Sequence, residues 1–469
     1  MFGDVNVKIE DGNLNKVNTS GIGIHVKIGI AGNGSNEITT ITKNMSAAKI
    51  KEILGNSPMA DACIDSIENG SSVIYCVPVK VGTPGTNGAV EHVGTGAGEI
   101  TVEGTPSNSC EVRIEVVETG MKNAGSIRYS IDGGKKYTEE ETIPLSGEIP
   151  VPTIGIKLKF SETEFKAGDV YHFKTTAPSM NNQDVITAFD RLIQLNTAFE
   201  FVHIVGTSVK ALWASLASIA EDFVSDYKKP IMILCEARAK GADEELEEYV
   251  KSMLDERKGI NSIFLQVILS HGEYIRMDGR DQEINLAGII SGFYGTARES
   301  QSIGEVKSFC ISENKLVRLL PEGIAGYLEQ LDNAGYLTVR QYYGKNGYFV
   351  TNANMLSPNE SDFRHAEDVR VLNRIIRDVR LAALEKLQME IDPGDLENTL
   401  ATIQEELNIP IETAVEDGII SSGRLTIDRD NVDVITEEML DLSVTYVPMG
   451  HVRQMNITFS VENPYAEIS

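Results

Sequence analysis

Between Gly82 and Pro178 the chain shows little helical periodicity, and on either side of that stretch it alternates strands with helices. This break constrains the fold more than any other feature. Inside it, Glu99–Glu103 (EITVE), Cys110–Val117 (CEVRIEVV), Ser126–Ile131 (SIRYSI), Gly155–Phe160 (GIKLKF) and Val170–Thr176 (VYHFKTT) read as short strands. Asp132-Gly133-Gly134 and Ala167-Gly168-Asp169 supply turn chemistry between them. Short strands at this spacing predict a small all-β sandwich. Because an α/β pattern runs on afterwards, the sandwich reads as an insertion.

Before the break, Gly23–Ala31 (GIHVKIGIA) and Ser72–Val81 (SVIYCVPVKV) predict strands, with Pro78 marking an edge or a bulge. Ser46–Leu54 predicts a short helix capped by Ser46. After the break, amphipathic Asp184–Leu195, strand Phe199–Val205, helix Val209–Tyr227, strand Pro230–Cys235, helix Ala242–Arg257 and strand Ser262–Leu269 form a βαβα series. Such a series predicts a largely parallel sheet with helices on both faces. The last part, from Leu337, reads as α+β. Thr338–Tyr342 and Gly347–Thr351 form a hairpin, and long helices follow from about Asp362 to Met389 and from Pro393 to Leu407. Two strands, Leu440–Val447 and Arg453–Val461, turn at Pro448-Met449-Gly450. The expected fold class is therefore multidomain α/β and α+β, with a βαβ-rich core sheet and an inserted all-β, sandwich-like domain. The expected parts are residues 1–81, 82–178, 179–336 and 337–469.

Both ends carry strict period-2 alternation. At the start Val5, Val7 and Ile9 alternate with Asn6, Lys8 and Glu10. At the end Met455, Ile457, Phe459 and Val461 alternate with Gln454, Asn456, Thr458, Ser460 and Glu462. A strand with one apolar face needs a partner for its backbone and for that face. The partner is either the strand's own domain or a neighbouring subunit, which it would join by β-augmentation.

The formal net charge of −27 argues against nucleic acid or an anionic membrane as the main partner. No apolar run approaches a membrane span and no secretory leader is visible at the N-terminus. Glu385–Asp441 holds sixteen acidic and three basic residues, 3 − 16 = −13; a solvated face is the ordinary reading of such a run. The five cysteines, Cys63, Cys76, Cys110, Cys235 and Cys310, are scattered and never in CxxC spacing, which points to folding in a reducing compartment.

Enzyme motifs are absent: there is no HExxH, GxSxG or GxxxxGK[ST]. Gly29, Gly32 and Gly34 follow a strand without dinucleotide-loop spacing and read as a plain turn. Asp428, Asp430 and Asp433 fail the EF-hand pattern, with Val432 at its fifth position and Asp433 at its sixth. His203 reads as a core histidine; His271-Gly272-Glu273 sits where α/β sites often form. No catalytic residue, cofactor or metal is expected. In the helix after Asp362, Phe363, Ala366, Val369, Leu372, Ile376, Val379 and Ala383 form an apolar stripe. Arg370, Arg374 and Arg377 share another face, with Arg380 close by. That stripe is either paired internally with the acidic segment Glu385–Asp441 or a docking face for an acidic protein.

Several stretches taken together resemble the sheath proteins of contractile phage tails and phage-like injection machines. The strongest is Leu337–Asp378, LTVRQYYGKNGYFVTNANMLSPNESDFRHAEDVRVLNRIIRD, with a strand pair, a G-x-x-G-x-F-V-T-N step and an SDFR helix start in that order. Tyr129-Ser130-Ile131-Asp132-Gly133-Gly134, Ala167-Gly168-Asp169-Val170-Tyr171, Thr175-Thr176-Ala177-Pro178 and the end RQMNITFSVENP (Arg453–Pro464) are also similar. The resemblance implies a non-enzymatic virion structural protein made in the bacterial cytoplasm. Its partners would be itself, in stacked hexameric rings, the inner tail tube, and baseplate and tail-terminator proteins. Val5, Val7, Ile9, Met455, Ile457, Phe459 and Val461 would exchange strands between subunits; Arg370, Arg374, Arg377 and Arg380 would face the tube; the sandwich would face outward. Two other readings stay open: a surface adhesin or carbohydrate-binding protein working through the sandwich, and an α/β enzyme with a site near His203–Ser208 and His271.

Overall fold

In the computed structural model, which describes residues 22–429, 432, 434–436 and 438–462, the chain divides into two units, Met1–Leu381 and Ala382–Ser469. The first begins with β1 (His25–Gly29), β2 (Thr39–Thr42), α1 (Ala47–Leu54), α2 (Pro58–Glu68) and β3 (Val73–Pro78). The Ser46 hydroxyl accepts from the Lys49 N–H at the start of α1, as its position predicts. α2 escapes sequence reading for a physical reason. Residues Met59 to Ser66 are buried without interruption, so the helix has no polar face and no 3.6-residue rhythm. Its start is marked only by Ser57, whose hydroxyl accepts from the Ala60 N–H, and by Pro58 in the first turn.

Next come β4 (Thr86–Asn87), β5 (Glu91–Val93), β6 (Ile100–Gly104), β7 (Cys110–Glu118), β8 (Ser126–Ser130), β9 (Glu141–Thr142), β10 (Glu148–Val151), β11 (Ile156–Phe160) and β12 (Val170–Thr176). They form a sheet in the order β4-β12-β7-β8-β9, with β5 also on β12, and a second sheet β10-β11-β6. Alternation fixes which face is buried. In β7 Cys110, Val112, Ile114 and Val116 point inward, and in β11 Ile156, Leu158 and Phe160 do. These side chains build an apolar core with Phe165, Tyr171 and Phe173 that is separate from the main core. The chain enters and leaves at one place: Thr83 and Ser179 exchange both backbone hydrogen bonds at 3.0 Å.

The α/β series then continues with α3 (Asn182–Ile193), β13 (Phe201–Thr207), α4 (Lys210–Ser225), β14 (Met232–Glu236), α5 (Leu246–Arg257) and β15 (Leu265–Ile268). After it come β16 (His271–Ile275), β17 (Asp281–Asn285), α6 (Ala287–Tyr294), β18 (Leu316–Leu320), α7 (Leu328–Asn333), β19 (Val339–Gln341), β20 (Tyr348–Val350) and α8 (Ala366–Leu384). The central sheet runs β15-β14-β13-β1-β3-β2, parallel throughout except for β2. Helices α2 and α6 pack on each other over β1, β13 and β14, while α3 and α4 pack together in another layer. The single tryptophan, Trp213, is fully buried; its indole N–H donates to the Ser208 hydroxyl at 2.7 Å. Pro78 corrects one expectation. β3 is an interior strand with no bulge, and Pro78 is its last residue, past the reach of β2, so its missing N–H costs the ladder nothing.

The second unit contains α9 (Leu396–Glu416), β21 (Ile420–Ile427) and β22 (Leu442–Pro448). Leu400, Ile403, Leu407 and Ile411 of α9 are buried, as are Leu425 and Ile427 of β21, and the two elements pack together.

Candidate assembly surfaces and a polar cleft

Met455, Ile457, Phe459 and Val461 are 75%, 72%, 90% and 101% exposed, in a segment from Gly450 to Glu462 without regular structure. In extended backbone these four side chains project on one side. Four large apolar groups in water on one line is an arrangement a monomer gains nothing from. The expected hairpin between Leu440–Val447 and Arg453–Val461 does not form; β22 pairs instead with β21, Leu425 opposite Val444. β21 went unread because Ser421-Ser422-Gly423 interrupts its apolar alternation. Its pairing is fixed from behind by α9. The Asn408 amide accepts from the Leu425 N–H at 2.7 Å and donates to the Leu425 carbonyl at 3.0 Å, and the Gln404 carbonyl oxygen accepts from the Ile427 N–H at 3.1 Å. These side chains cover the outer edge of β21, so a strand joining this sheet has the β22 side to use. Val5, Val7 and Ile9 lie outside the described residues, as do Asp430 and Asp433.

The arginine helix is rotated from expectation. The buried side of α8 includes Arg370, Asn373 and Ile375 as well as Ala366 and Val369. Arg370 is 1% exposed and its guanidinium is spent internally. It pairs with the buried Glu200, donates to the carbonyls of Tyr294, Ala297 and Arg298 at 3.0–3.3 Å, and lies 5.2 Å from the Tyr294 ring centre. Glu200 also accepts from the Gly23 N–H at 2.8 Å, so the pair pins α8 to the start of β1. Arg370 therefore cannot contact a partner in this structure, and its place in an outward stripe is corrected. Arg374 pairs with Glu299 at 2.9 Å and with Asp378, and Arg377 approaches Asp378 at 3.3 Å. These partners are not the downstream acidic segment that the sequence suggested. Arg377 and Arg380 remain part-exposed.

At the C-terminal ends of β13 and β14 lies a cleft of about 920 Å³, lined by Glu236, His271, Asn285, Arg276 and Asp61 and, from the all-β region, Lys135. Behind it runs a buried chain. The Lys27 ammonium is 2.7 Å from His203 Nδ1, and His203 Nε2 is 2.9 Å from Glu236 Oε1. With Lys27 donating to Nδ1, the ring proton sits on Nε2 and donates to Glu236. Burial pulls Lys27 down to about 8, pushes Glu236 up to about 7 and draws His271 down to about 4. The His203 imidazole between Lys27 and Glu236 is uncharged, because burial and then the neighbouring Lys27 charge oppose its protonation. Asp61 and Asp65 at the cleft wall are held by Arg276, with Asp61 also held by Arg280. The structure thus brings His203 and His271 to the place where an enzyme reading put them. It adds Lys27 and Glu236, which sequence reading passed over. The signal was there: Lys27 is a lone lysine inside the apolar run GIHVKIGIA.

No described helix is long and apolar enough to cross a membrane. Among curated proteins none matches the sequence. Among solved structures, a sheath tail protein from Desulfitobacterium hafniense is similar with a TM-score of 0.50 at 14% identity, over 95% of this chain and 100% of that one. A chain of the anti-feeding prophage baseplate, 6-fold symmetrised, gives 0.54 at 10% identity over 98% and 99%; one from that baseplate in its contracted state gives 0.55 at 11% over 98% and 97%. At such identities the likeness establishes the fold, a multidomain α/β fold of the tail-sheath type. The family model described as DUF2586, N-terminal domain, matches residues 2–354, and that described as DUF2586, C-terminal domain, matches residues 362–466. Matched along nearly its whole length, the chain belongs to the DUF2586 family.

Proposed function

We propose that this chain is the structural subunit of a contractile tail sheath. It polymerises as stacked hexameric rings around an inner tube, and contraction of the stack drives the tube through a target envelope. The single observation that carries the reading is the exposed apolar line Met455–Val461 in a chain of sheath-type fold. A segment of this kind gains a ladder and a buried face when it joins the β22 side of a neighbour's two-stranded sheet. The N-terminal alternation at Val5, Val7 and Ile9 would serve the same purpose on another neighbour. Partners are further copies of the chain, the tube, the baseplate and the tail terminator. The particle is a virion or phage-like tail built in the bacterial cytoplasm. Residues 82–178 form an outward-facing insertion, and Arg377 and Arg380 are the arginines left for a tube contact. No chemistry is assigned to the chain.

Negative-stain microscopy of the purified full chain tests this. Rings or tubes of uniform width are expected; monodisperse particles at every concentration and salt tried would overturn the proposal.

A further inference from the structure

Two cysteines that sequence spacing gives no reason to connect meet in the core. Cys63 on α2 and Cys76 on β3 are both fully buried, and their sulfurs are 3.3 Å apart. They lie among Ile41, Ile50, Met59, Ile64 and Ile74, an apolar cluster between α1, α2 and the β2–β3 side of the sheet. One charged group belongs to their surroundings. Lys27 stands directly opposite Cys76 in the β1–β3 register, so both side chains leave the sheet on one face. The Cys63 contact and burial together push the Cys76 thiol well above its ordinary range, with the Lys27 charge working against them.

We infer that Cys63 and Cys76 form a latent disulfide: a thiol pair in the reducing medium where the chain folds, and a cross-link between α2 and β3 once the protein meets a small neutral oxidant such as a peroxide. A disulfide needs the sulfurs at about 2.05 Å, so they must close by roughly 1.2 Å, within reach of side-chain rotation and a slight helix shift. The chemistry balances. Cys63 sulfur attacks one peroxide oxygen, the O–O bond breaks, and the departing hydroxide takes the thiol proton as water, leaving a sulfenic acid. Cys76 sulfur then attacks Cys63 sulfur, the S–O bond breaks, and the hydroxide leaves with the Cys76 proton as a second water. The two sulfurs together lose two electrons and the peroxide gains them. The other three cysteines lack such a neighbour: Cys110 and Cys235 are buried elsewhere and Cys310 is exposed. The bond would tie α2, which carries Asp61 and Asp65 to the cleft wall, to the strand beside β1.

The test uses the full-length protein with Cys310 first blocked by a maleimide in the native state. After peroxide treatment the intact mass should fall by two hydrogens, and after denaturation and alkylation Cys63 and Cys76 should remain unalkylated. A non-reduced digest should join the two peptides, and the treated protein should melt a few degrees higher than its reduced form. Cys63→Ala and Cys76→Ala should each abolish the mass loss. If either variant fails to fold, the wild-type digest decides alone. Both cysteines still alkylatable after oxidation, or both carried to sulfinic acid without a cross-link, would overturn the inference.

Discussion

Replacing Ile457 and Phe459 together by Asp should abolish assembly and leave the subunit intact. Both side chains are exposed in the free chain, 72% and 90%, so they contribute nothing measurable to its own core. Once buried in a neighbour's sheet, each contributes about 1.5–3 kcal/mol, so the pair supplies roughly 3–6 kcal/mol per joint. A loss near the middle of that range, about 4 kcal/mol, corresponds to roughly a thousandfold weaker association. Asp adds to this, because a carboxylate placed against the apolar face must be desolvated. Losing this joint leaves the N-terminal alternation as the one remaining strand contact per subunit, which is too little to build the array. Ultracentrifugal pelleting with negative-stain imaging reads the assembly, and a melting curve reads the subunit. Asn456→Asp and Thr458→Asp, on the opposite side of the same segment, serve as controls and should still assemble. Normal pelleting of the Ile457/Phe459 variant would refute strand addition through this face. A lowered melting temperature would show that the segment belongs to its own subunit's core.

Other outcomes follow from the interior. Arg370→Met should cost about 3–5 kcal/mol in a urea melt, because Glu200 is left buried with only the Gly23 N–H for company; a loss under 1 kcal/mol would show that the pair is dispensable. Replacing residues 82–178 by a short Gly/Ser linker should leave the rest folded by circular dichroism, since Thr83 and Ser179 are already hydrogen-bonded neighbours; an unfolded product would show that the all-β region supports the main core. Glu236 binds its proton more tightly in the folded chain, at about 7 against an ordinary 4.5, so its stabilising contribution is complete below 4.5 and is lost as pH rises to about 7, at most about 3 kcal/mol. Lys27 runs the other way: lowered from 10.5 to about 8, it favours the fold increasingly as pH climbs from 8 to 10.5. Uncharged His271, drawn from 6.5 down to about 4, adds stability over nearly the same range and offsets the Glu236 loss. Measured against the wild type, Glu236→Gln should therefore gain up to about 3 kcal/mol between pH 4.5 and 7, and parallel pH profiles would contradict the buried-carboxylate account.

What was legible in the sequence is what leaves a periodic trace. β7 and β11 bury one face each and their residues alternate accordingly; β13, β14 and β15 are buried on both faces and read as short apolar runs. α2 is a helix buried all round and β21 a strand broken by Ser421-Ser422-Gly423, and neither carries a readable rhythm. The arginine stripe shows a deeper limit. Spacing places Arg370, Arg374 and Arg377 on one side of α8 correctly, yet helix periodicity says nothing about which way that side faces. The direction is set by Glu200, one hundred and seventy residues earlier in the chain, which offers a buried carboxylate where Arg370 enters. An arginine that neutralises a buried acid can lie inside, provided that its donors are met. The same reasoning separates the two ends of the helix. Arg370 is committed to the fold, Arg374 is half committed through Glu299, and only Arg377 and Arg380, beyond the reach of those acids, can be offered outward without breaking anything that holds the subunit together. Any tube contact on this helix must therefore be built at its C-terminal half, and a substitution at Arg370 that weakens tube binding would do so by unfolding the subunit that presents it.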